Sequence, residues 1–180
     1  MNTKTIVITG GPGSGKTSII NELTKRGLTC SEEISREVIL KAREKGIEQL
    51  FITNPIQFSE TLLEGRIEQY KDALESNNEF VFLDRGIPDI SAYMDFKGDT
   101  YPDFFYEACE KYKYDSVFIL APWQDIFTSD SERYENFDQA QEIHEKLLET
   151  YTKYGYNLRD VPFGSVEARA DHIIDVVKAL

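Results

Sequence analysis

The sequence is poor in the residues that build disulfide frameworks and metal centres. Its 180 residues include two cysteines and two histidines, and Cys30 and Cys109 stand far apart with no CxxC spacing. Because a chain of this length buries a sizeable core without a covalent cross-link, we expect both thiols to be reduced. His144 and His172 have no paired ligand spacing around them, so a structural zinc site and a Cys-His protease are poorly supported.

Long apolar runs are missing as well. No stretch approaches the roughly 18 apolar residues of a membrane-spanning helix. The apolar run near the amino terminus is too short for a signal peptide. We therefore expect a soluble, cytoplasmic protein that has no membrane partner.

Positive charge is scarce, since 20 Lys and Arg residues are outnumbered by 32 Asp and Glu residues, which leaves a net charge of −12. A field of that sign repels nucleic acid backbones and acidic membrane surfaces. Bulk nucleic acid is therefore not an expected partner. A local basic pocket can still bind one small anion, because contacts within a Debye length of about 10 Å depend on neighbouring groups rather than on net charge.

The chain does contain enough apolar and aromatic material for one core. Hydrophobic residues make up 41% of it and aromatic residues 12%, which excludes intrinsic disorder for most of the chain. No internal repeat, low-complexity tract or linker divides the sequence. We expect residues 1–180 to form a single domain.

The apolar pattern predicts an α/β fold. Three short runs, TIVIT, FVFL and SVFIL, are continuous and rich in β-branched or aromatic residues, which is typical of parallel strands covered on both faces. Helical spacing of apolar residues separates such runs, so strands and helices alternate with right-handed crossovers. The five predicted strands are residues 5–9, 28–30, 80–83, 116–121 and 157–161.

Three predicted helices carry apolar stripes that we expect in the core. The first begins after Asn54 and Pro55, a favourable N-cap and first helical residue, and the last begins at Ser165. Their apolar positions are Phe58, Leu62, Ile67, Tyr70 and Leu74 in the first, Ile143, Leu147, Tyr151 and Tyr154 in the second, and Val166, Ala170, Ile173 and Val177 in the third.

Residues 10–17, GGPGSGKT, fit the phosphate-binding pattern G-x-x-x-x-G-K-[ST] between a predicted strand and a predicted helix. Glycines let the backbone turn tightly and direct successive N–H groups at phosphate oxygens, and the helix N-terminus adds positive charge. Lys16 is expected to reach the β- and γ-phosphates of ATP, and the Thr17 hydroxyl to bind Mg²⁺. The predicted nucleotide-binding residues of this P-loop are Gly11, Pro12, Gly13, Ser14, Gly15, Lys16, Thr17 and Ser18.

Residues 80–86, FVFLDRG, end the third predicted strand with a carboxylate and a cation. Ligands of doubly wound sheets collect at the C-terminal strand edge, so Asp84 is expected beside the P-loop in the Mg²⁺ shell, with Arg85 near the substrate. A turn cap at Asp84 and a surface ion pair at Arg85 are the alternatives. Water-activating ATPases often carry glutamate after this aspartate, and arginine here disfavours an ATP-driven motor.

The end of the second predicted strand, CSEEISR, brings acidic residues and Arg36 to the same edge. A kinase needs a group that orients the acceptor hydroxyl and accepts its proton, and Glu33 suits that role. Glu33 is preferred over Glu32 because alternate residues of a strand face opposite sides. Arg36 is expected on the same helical face, as a substrate contact. A helix start enriched in acid is the alternative, and Asp84 stays open as the base.

Residues 124–137 are expected to form a lid over the nucleotide. The segment is polar around residues 129–136 and shows no clear period. Lids of small P-loop kinases exclude water and bring an arginine to the transferred group, which makes Arg133 the candidate catalytic and nucleotide-binding cation. A solvated side chain paired with a neighbouring glutamate is the alternative. Residues 161–165 lie where an adenine ring is expected.

Five blocks in this order, GGPGSGKTS, EEISREV, FLDRGIPD, SERYE and GYNLRDVPFGSVEARADHI, resemble the AAA-like ATP-binding family that includes ribosylnicotinamide kinase domains. The resemblance covers nearly the whole chain and lies within the nucleoside and nucleotide kinase group of P-loop proteins. It implies three α/β/α layers with five parallel strands in the order 2-3-1-4-5. It also implies that Glu33 and Asp84 lie at the catalytic edge and that Arg133 belongs to the lid.

Two functions follow as hypotheses. The first is an ATP- and Mg²⁺-dependent kinase that phosphorylates a hydroxyl of a nucleoside-like metabolite, with the acceptor pocket expected from residues 36–58 and 86–106. The second is a nucleotide-dependent switch or ATPase that binds a protein partner. A guanine-specific GTPase is disfavoured, because APWQ at residues 121–124 stands where N-K-x-D is expected. The acceptor and the oligomeric state stay open.

Overall fold

The structure is a computed structural model, and it describes residues 3–31, 33–44, 53–127 and 135–180. Strands and helices alternate along the chain, and a short 3₁₀ turn at Gln124–Ile126 follows the fourth strand. The strands are β1 Lys4–Gly10, β2 Thr29–Ser31, β3 Phe80–Asp84, β4 Ser116–Leu120 and β5 Leu158–Asp160. The helices are α1 Lys16–Lys25, α2 Ile34–Glu44, α3 Pro55–Glu75, α4 Ile87–Lys97, α5 Phe104–Lys111, α6 Phe137–Lys153 and α7 Val166–Lys178.

The sheet has five parallel strands in the order β2-β3-β1-β4-β5, which confirms the predicted order. At its centre, Val7 of β1 is aligned with Leu83 of β3 and Val117 of β4. Because all strands run in one direction, their carboxyl ends meet at one edge. This edge brings the end of β1 next to the end of β3.

Helices cover both faces of the sheet, which confirms the three-layer α/β/α fold. Successive side chains of a strand point to opposite faces. Accordingly, Ile6 and Ile8 pack in a cluster with Ile19 of α1 and Ile173 of α7, while Val7 packs in a second cluster with residues of α3, α4, α5 and α6. That residues 1–180 form a single domain stays a prediction.

The apolar stripe of α6 is confirmed, since its four predicted positions are all buried. The prediction that Leu74 of α3 lies in the core is wrong, because 49% of its surface is exposed and Ala73 is buried instead. Three turns of about 3.6 residues lead from Leu62 to Ala73, so the inner face leaves Leu74 outside. No helix of the described residues is long and apolar enough to cross a membrane.

The predicted helix starts are confirmed by their caps. Asn54 accepts a hydrogen bond from the Gln57 backbone N–H at 3.2 Å, and Ser165 accepts one from the Ala168 N–H at the same distance. Each side chain satisfies one of the N–H groups that a helix start leaves unpaired.

Two strands begin one residue later than the sequence predicts, at positions 29 and 158, and β5 also ends one residue earlier, at position 160. The first shift follows from the end of α1. Gly27 has a φ of 81°, and the Leu28 N–H returns to the Leu23 carbonyl at 3.1 Å. This is a helix C-cap, so Leu28 closes α1 instead of opening β2.

Candidate active site

The P-loop, residues 10–17, connects β1 directly to α1. Gly13 and Gly15 have φ values of 71° and 80°, a left-handed region that strains any residue with a Cβ atom. A Cβ at Gly13 would collide with the Phe127 ring, and one at Gly10 would lie 2.7 Å from the Leu120 carbonyl oxygen. The glycine spacing is therefore required by backbone conformation and by close packing at this strand edge.

Lys16 is the first residue of α1, and only 5% of its side chain is exposed. Its Nζ atom forms an ion pair with Asp84 Oδ1 and lies 3.4 Å from Glu33 Oε2. Asp84 ends β3, and in the sheet it is aligned with Ile8 of β1. The structure therefore brings together three side chains that the sequence keeps far apart.

Glu33 is held by a set of donors. Its Oε1 atom accepts hydrogen bonds from Arg85 Nε at 3.0 Å and Ser35 Oγ at 2.8 Å, and Arg66 Nη2 lies 3.9 Å away. Burial would raise the pKa of the Glu33 carboxyl, but the charges of Arg85, Lys16 and Arg66 outweigh it and hold the pKa well below its ordinary value. The Glu33 side chain is therefore ionised at neutral pH.

The expectation that strand alternation distinguishes Glu33 from Glu32 is wrong. The strand ends at Ser31 and α2 begins at Ile34, so Glu33 belongs to neither and strand alternation does not apply to it. Its place directly before α2 is the acidic helix start considered as the alternative. Glu32 and the lid candidate Arg133 lie outside the described residues, and so does the Arg36 side chain, although its backbone belongs to α2.

Arg85 is largely enclosed, with 15% of its side chain exposed. Besides Glu33 it contacts Asp89, whose Oδ1 atom lies 3.3 Å from Arg85 Nη1. Its guanidinium also lies over the Tyr93 ring, 5.3 Å from the centroid. Arg85 does form ion pairs, but they lie inside the site. The alternative of an ion pair on the surface is therefore wrong.

Asp89 is a buried carboxylate that the sequence analysis did not single out. It accepts hydrogen bonds from the Thr9 hydroxyl at 2.6 Å, the Gly86 N–H at 2.9 Å and the Tyr151 hydroxyl at 2.5 Å. It thereby ties Arg85 to β1, α4 and α6. The available signal was an acidic residue three positions after Gly86, the N-cap of α4, where a carboxylate can accept from the N-cap backbone N–H.

Arg66 was missed as well. It is buried in α3, and its Nη1 atom donates to the Asp84 carbonyl oxygen at 3.4 Å. The signal was a cation four residues after Leu62, on the apolar face of the helix. Three cations, Lys16, Arg66 and Arg85, thus meet three carboxylates, Glu33, Asp84 and Asp89, and their charges are compensated within the site.

A cavity of about 410 Å³ begins at the P-loop and continues past Glu33. Its lining includes Lys16 and Thr17 at one end and residues of α3 and α4 at the other. The apolar residues of this second part are Phe58, Leu62, Ile90, Tyr93 and Met94. One continuous space therefore joins the phosphate-binding loop to a mainly apolar chamber.

A second cavity, of about 310 Å³, meets the P-loop at Gly13 and Gly15. Trp123 lines it and stacks on Phe163, with ring centroids 4.9 Å apart. Gly164 and Ser165 from the loop predicted to receive adenine also line this cavity. The loop predicted to receive adenine thus forms one wall of this cavity.

Arg169 of α7 lines the second cavity and was missed, because it occupies the inner face of a helix otherwise predicted to be apolar there. It is 2% exposed, donates from Nη1 to the Ser14 carbonyl oxygen at 3.1 Å, and lies against the place where a Gly15 Cβ would be. Burial lowers the pKa of its guanidinium. This contact fixes the P-loop backbone from α7.

Thr17 and Asp84 were predicted as Mg²⁺ ligands, and their chemistry fits that ion. Mg²⁺ prefers oxygen ligands, keeps several waters, and is often bound by one or two protein groups together with nucleotide phosphates. Thr17 lines the first cavity, and the Asp84 carboxylate already contacts a cation, the Lys16 ammonium group. Within the described part of the chain no cluster of three or more His, Cys, Asp or Glu residues suits a metal held by protein alone.

A family model described as an AAA domain matches residues 5–169 of the chain. The chain belongs to this AAA domain family. The match extends from β1 into α7 and so includes every element that lines the two cavities. It confirms the resemblance that the sequence blocks indicate. No curated protein matches the chain.

Solved structures of kinases share the fold. A deoxyadenosine kinase from M. mycoides is 18% identical with a TM-score of 0.70, covering 98% of this chain and all of that one. A thymidylate kinase from Candida albicans is also 18% identical, with a TM-score of 0.68. The match covers 99% of this chain and 92% of that one. The NadR protein in complex with NR is 18% identical with a TM-score of 0.74. The match covers 98% of this chain and 51% of the NadR chain. These similarities show a nucleoside and nucleotide kinase-like P-loop fold.

Proposed function

We propose that this protein is an ATP- and Mg²⁺-dependent kinase that transfers the γ-phosphoryl group to a hydroxyl of a nucleoside-like metabolite. The observation that carries the proposal is the continuous cavity from the P-loop past Glu33 into the chamber lined by α3 and α4. A kinase needs donor and acceptor in one space, with a carboxylate between them. Proteins that share the fold bind nucleotides of this kind: one deoxyadenosine kinase structure holds dATP, and one NadR structure holds NAD and AMP-PNP.

In this proposal Lys16 leaves the carboxylates when the nucleotide binds and stabilises negative charge on the β- and γ-phosphates. Thr17 and Asp84 would hold Mg²⁺, which would supply positive charge to the phosphates. Glu33 accepts a hydrogen bond from the acceptor hydroxyl and keeps its oxygen in line with the γ-phosphate. The low pKa of Glu33 is compatible with that role. In a loose transition state the acceptor hydroxyl loses its proton only late, so orientation of the hydroxyl matters most.

The charge balance of the site favours a hydroxyl acceptor over a phosphate acceptor. Arg66 and Arg85 are each engaged by carboxylate or carbonyl oxygens that flank the cavity. A phosphate group of the acceptor would bring about two negative charges, and it would find these two arginines already compensated. A neutral hydroxyl beside Glu33 needs no further cation. We therefore assign the acceptor as a nucleoside-like molecule rather than a nucleotide.

Asp84→Asn is expected to lower Mg²⁺-dependent turnover by about 10²-fold or more, since the amide keeps the shape of the side chain but removes the charge that holds the ion. Steady-state rates across a Mg²⁺ titration measure the effect. Asp72→Asn, the same change at an exposed position of α3, is the matched control and should be silent. Retained activity with an unchanged Mg²⁺ requirement would contradict the metal role of Asp84.

We further propose that the base of the donor nucleotide binds in the second cavity, against Trp123. Trp123 is the single tryptophan of the chain, so its fluorescence reports on the second cavity alone. ADP titration is expected to change Trp123 emission in a saturable way. Inorganic triphosphate, which offers phosphates without a base, should compete with ADP and yet leave the emission nearly unchanged. Equal changes with both ligands would move the base away from this cavity.

The kinase is separated from the nucleotide-dependent switch by the effect of small molecules on ADP formation. A panel of nucleosides and related metabolites, each added with Mg-ATP, is expected to contain one that raises ADP formation strongly above the rate with ATP alone. A slow rate that no metabolite changes, together with a rise on adding a protein partner, would favour the switch.

A further inference from the structure

A carboxylate in the lining of the first cavity, that of Asp99, has no part in the phosphoryl-transfer chemistry. Asp99 lines the cavity together with Tyr93 and Met94 of α4. Its Oδ2 atom is buried and has no hydrogen-bond partner among the described residues. A buried polar oxygen without a partner is unfavourable, and a bound ligand that donates to it removes that cost.

The backbone holds Asp99 firmly in this place. Helix α4 ends at Lys97, its C-cap Gly98 adopts a left-handed φ of 73°, and the Asp99 N–H returns to the Met94 carbonyl oxygen at 3.0 Å. This helix C-cap turns the chain and sets Asp99 at the end of α4. The carboxyl end of a helix carries partial negative charge, which adds to the charge of the carboxylate. Asp99 therefore offers an acceptor to a hydrogen-bond donor on the ligand, and the Lys97 side chain lines the cavity near it.

We propose that Asp99 determines specificity by accepting a hydrogen bond from an amino group on the ring of the acceptor. This inference rests on the proposed kinase function and extends it to the class of substrate. The ring lies among Phe58, Tyr93 and Met94, and its reactive hydroxyl lies at Glu33. Amino-bearing nucleosides are then favoured over their keto counterparts, because a keto oxygen in the place of the amino group opposes two acceptors, and the remaining donor, the adjacent ring N–H, lies one atom away from that place.

Two matched pairs test this assignment, cytidine against uridine and adenosine against inosine, each in ribo and deoxyribo forms. Within at least one pair, the wild-type protein is expected to phosphorylate the amino member with a kcat/KM at least about tenfold higher, the usual effect of leaving one buried polar group unpaired. Asp99→Asn nearly keeps the shape of the side chain and offers an N–H donor, so it should lower that preference about tenfold or reverse it.

The control is Asp103→Asn, the same change at an exposed residue four positions later whose side chain makes no cap hydrogen bond. It should keep the wild-type preference, and circular dichroism should show that both variants are folded. Equal kcat/KM values within both pairs for the wild type, or an unchanged preference in Asp99→Asn, would overturn the role of Asp99.

A binding measurement separates this inference from the kinase function itself. Calorimetric titration of the same nucleosides in the presence of ADP reports discrimination without turnover. Turnover without amino preference overturns the role of Asp99 and leaves the kinase in place. Amino-selective binding that Asp99→Asn abolishes, with no phosphorylated product, supports Asp99 and contradicts the kinase. If no nucleoside is bound and none is phosphorylated, both the role of Asp99 and the kinase function are overturned.

Discussion

Lys16→Ala is expected to abolish phosphoryl transfer, with a loss of about 10³-fold or more. The lysine stabilises charge that grows on the phosphates in the transition state, inside a site where water does not screen it. The folded structure should persist, although with a lower Tm, because Asp84 loses its ion-pair partner and Glu33 keeps Arg85 and Arg66. Turnover assays, circular dichroism and thermal unfolding check these points together.

Lys25→Ala is the matched control for Lys16→Ala. Lys25 ends the same helix, 75% of its side chain is exposed, and it makes a surface ion pair with Glu22. Surface pairs of this kind contribute about 0–1 kcal/mol, so both activity and stability should stay near wild type. A folded Lys16→Ala protein with unchanged turnover would refute the assignment of the P-loop as the phosphate site.

Glu33→Gln is expected to lower kcat for the true acceptor by about 10² to 10⁴, the usual contribution of a positioned base, with little change in nucleotide affinity. The amide can still accept from Arg85 and Ser35 but no longer balances the buried cations, so Tm should fall as well. Comparing kcat with the affinity for ADP separates lost catalysis from lost binding. Wild-type kcat in the folded variant would remove Glu33 from the mechanism.

The neighbouring substitution Glu32→Gln provides the control and should be nearly silent. Equal small effects of both substitutions would leave Asp84 as the remaining candidate for the base. A large effect confined to Glu32→Gln would show that the carboxylate was assigned one residue too far along the chain.

The pH profile offers a second test of Glu33. Its pKa in the folded protein lies below the ordinary value of about 4.3, so the carboxylate is ionised at every pH above that value. Its charge pairs therefore stabilise the fold above pH 4.3, and this contribution is lost as the pH falls through the lower, folded-state pKa. We expect no decline of kcat between pH 7 and about 5 from protonation of Glu33.

The sequence predicts the fold and the centre of the site because both depend on local rules. Continuous apolar runs mark buried parallel strands, and in a parallel sheet the strand ends meet, which places Asp84 beside the P-loop. Lys16 follows from the glycine pattern and the helix start. These inferences need no knowledge of how the helices pack on the sheet.

The rest of the site depends on tertiary packing. Arg66 reaches Asp84 only because α3 packs with its cation facing inward, and Asp89 meets Tyr151 across a sequence separation of 62 residues. Leu28 shows the same limit on a smaller scale, since the cap at Gly27 decides where β2 begins. Apolar spacing alone did not distinguish a buried, paired cation from a solvated one.

The most direct test of the account is the mass of the acceptor after reaction. The protein is incubated with Mg-ATP and one nucleoside of the panel at a time. The products are then separated, and their masses are measured by mass spectrometry. The account predicts one nucleoside that gains a single phosphoryl group, in an amount equal to the ADP formed, and no such product with Lys16→Ala. ADP and inorganic phosphate in equal amounts, with every nucleoside unchanged, would contradict it.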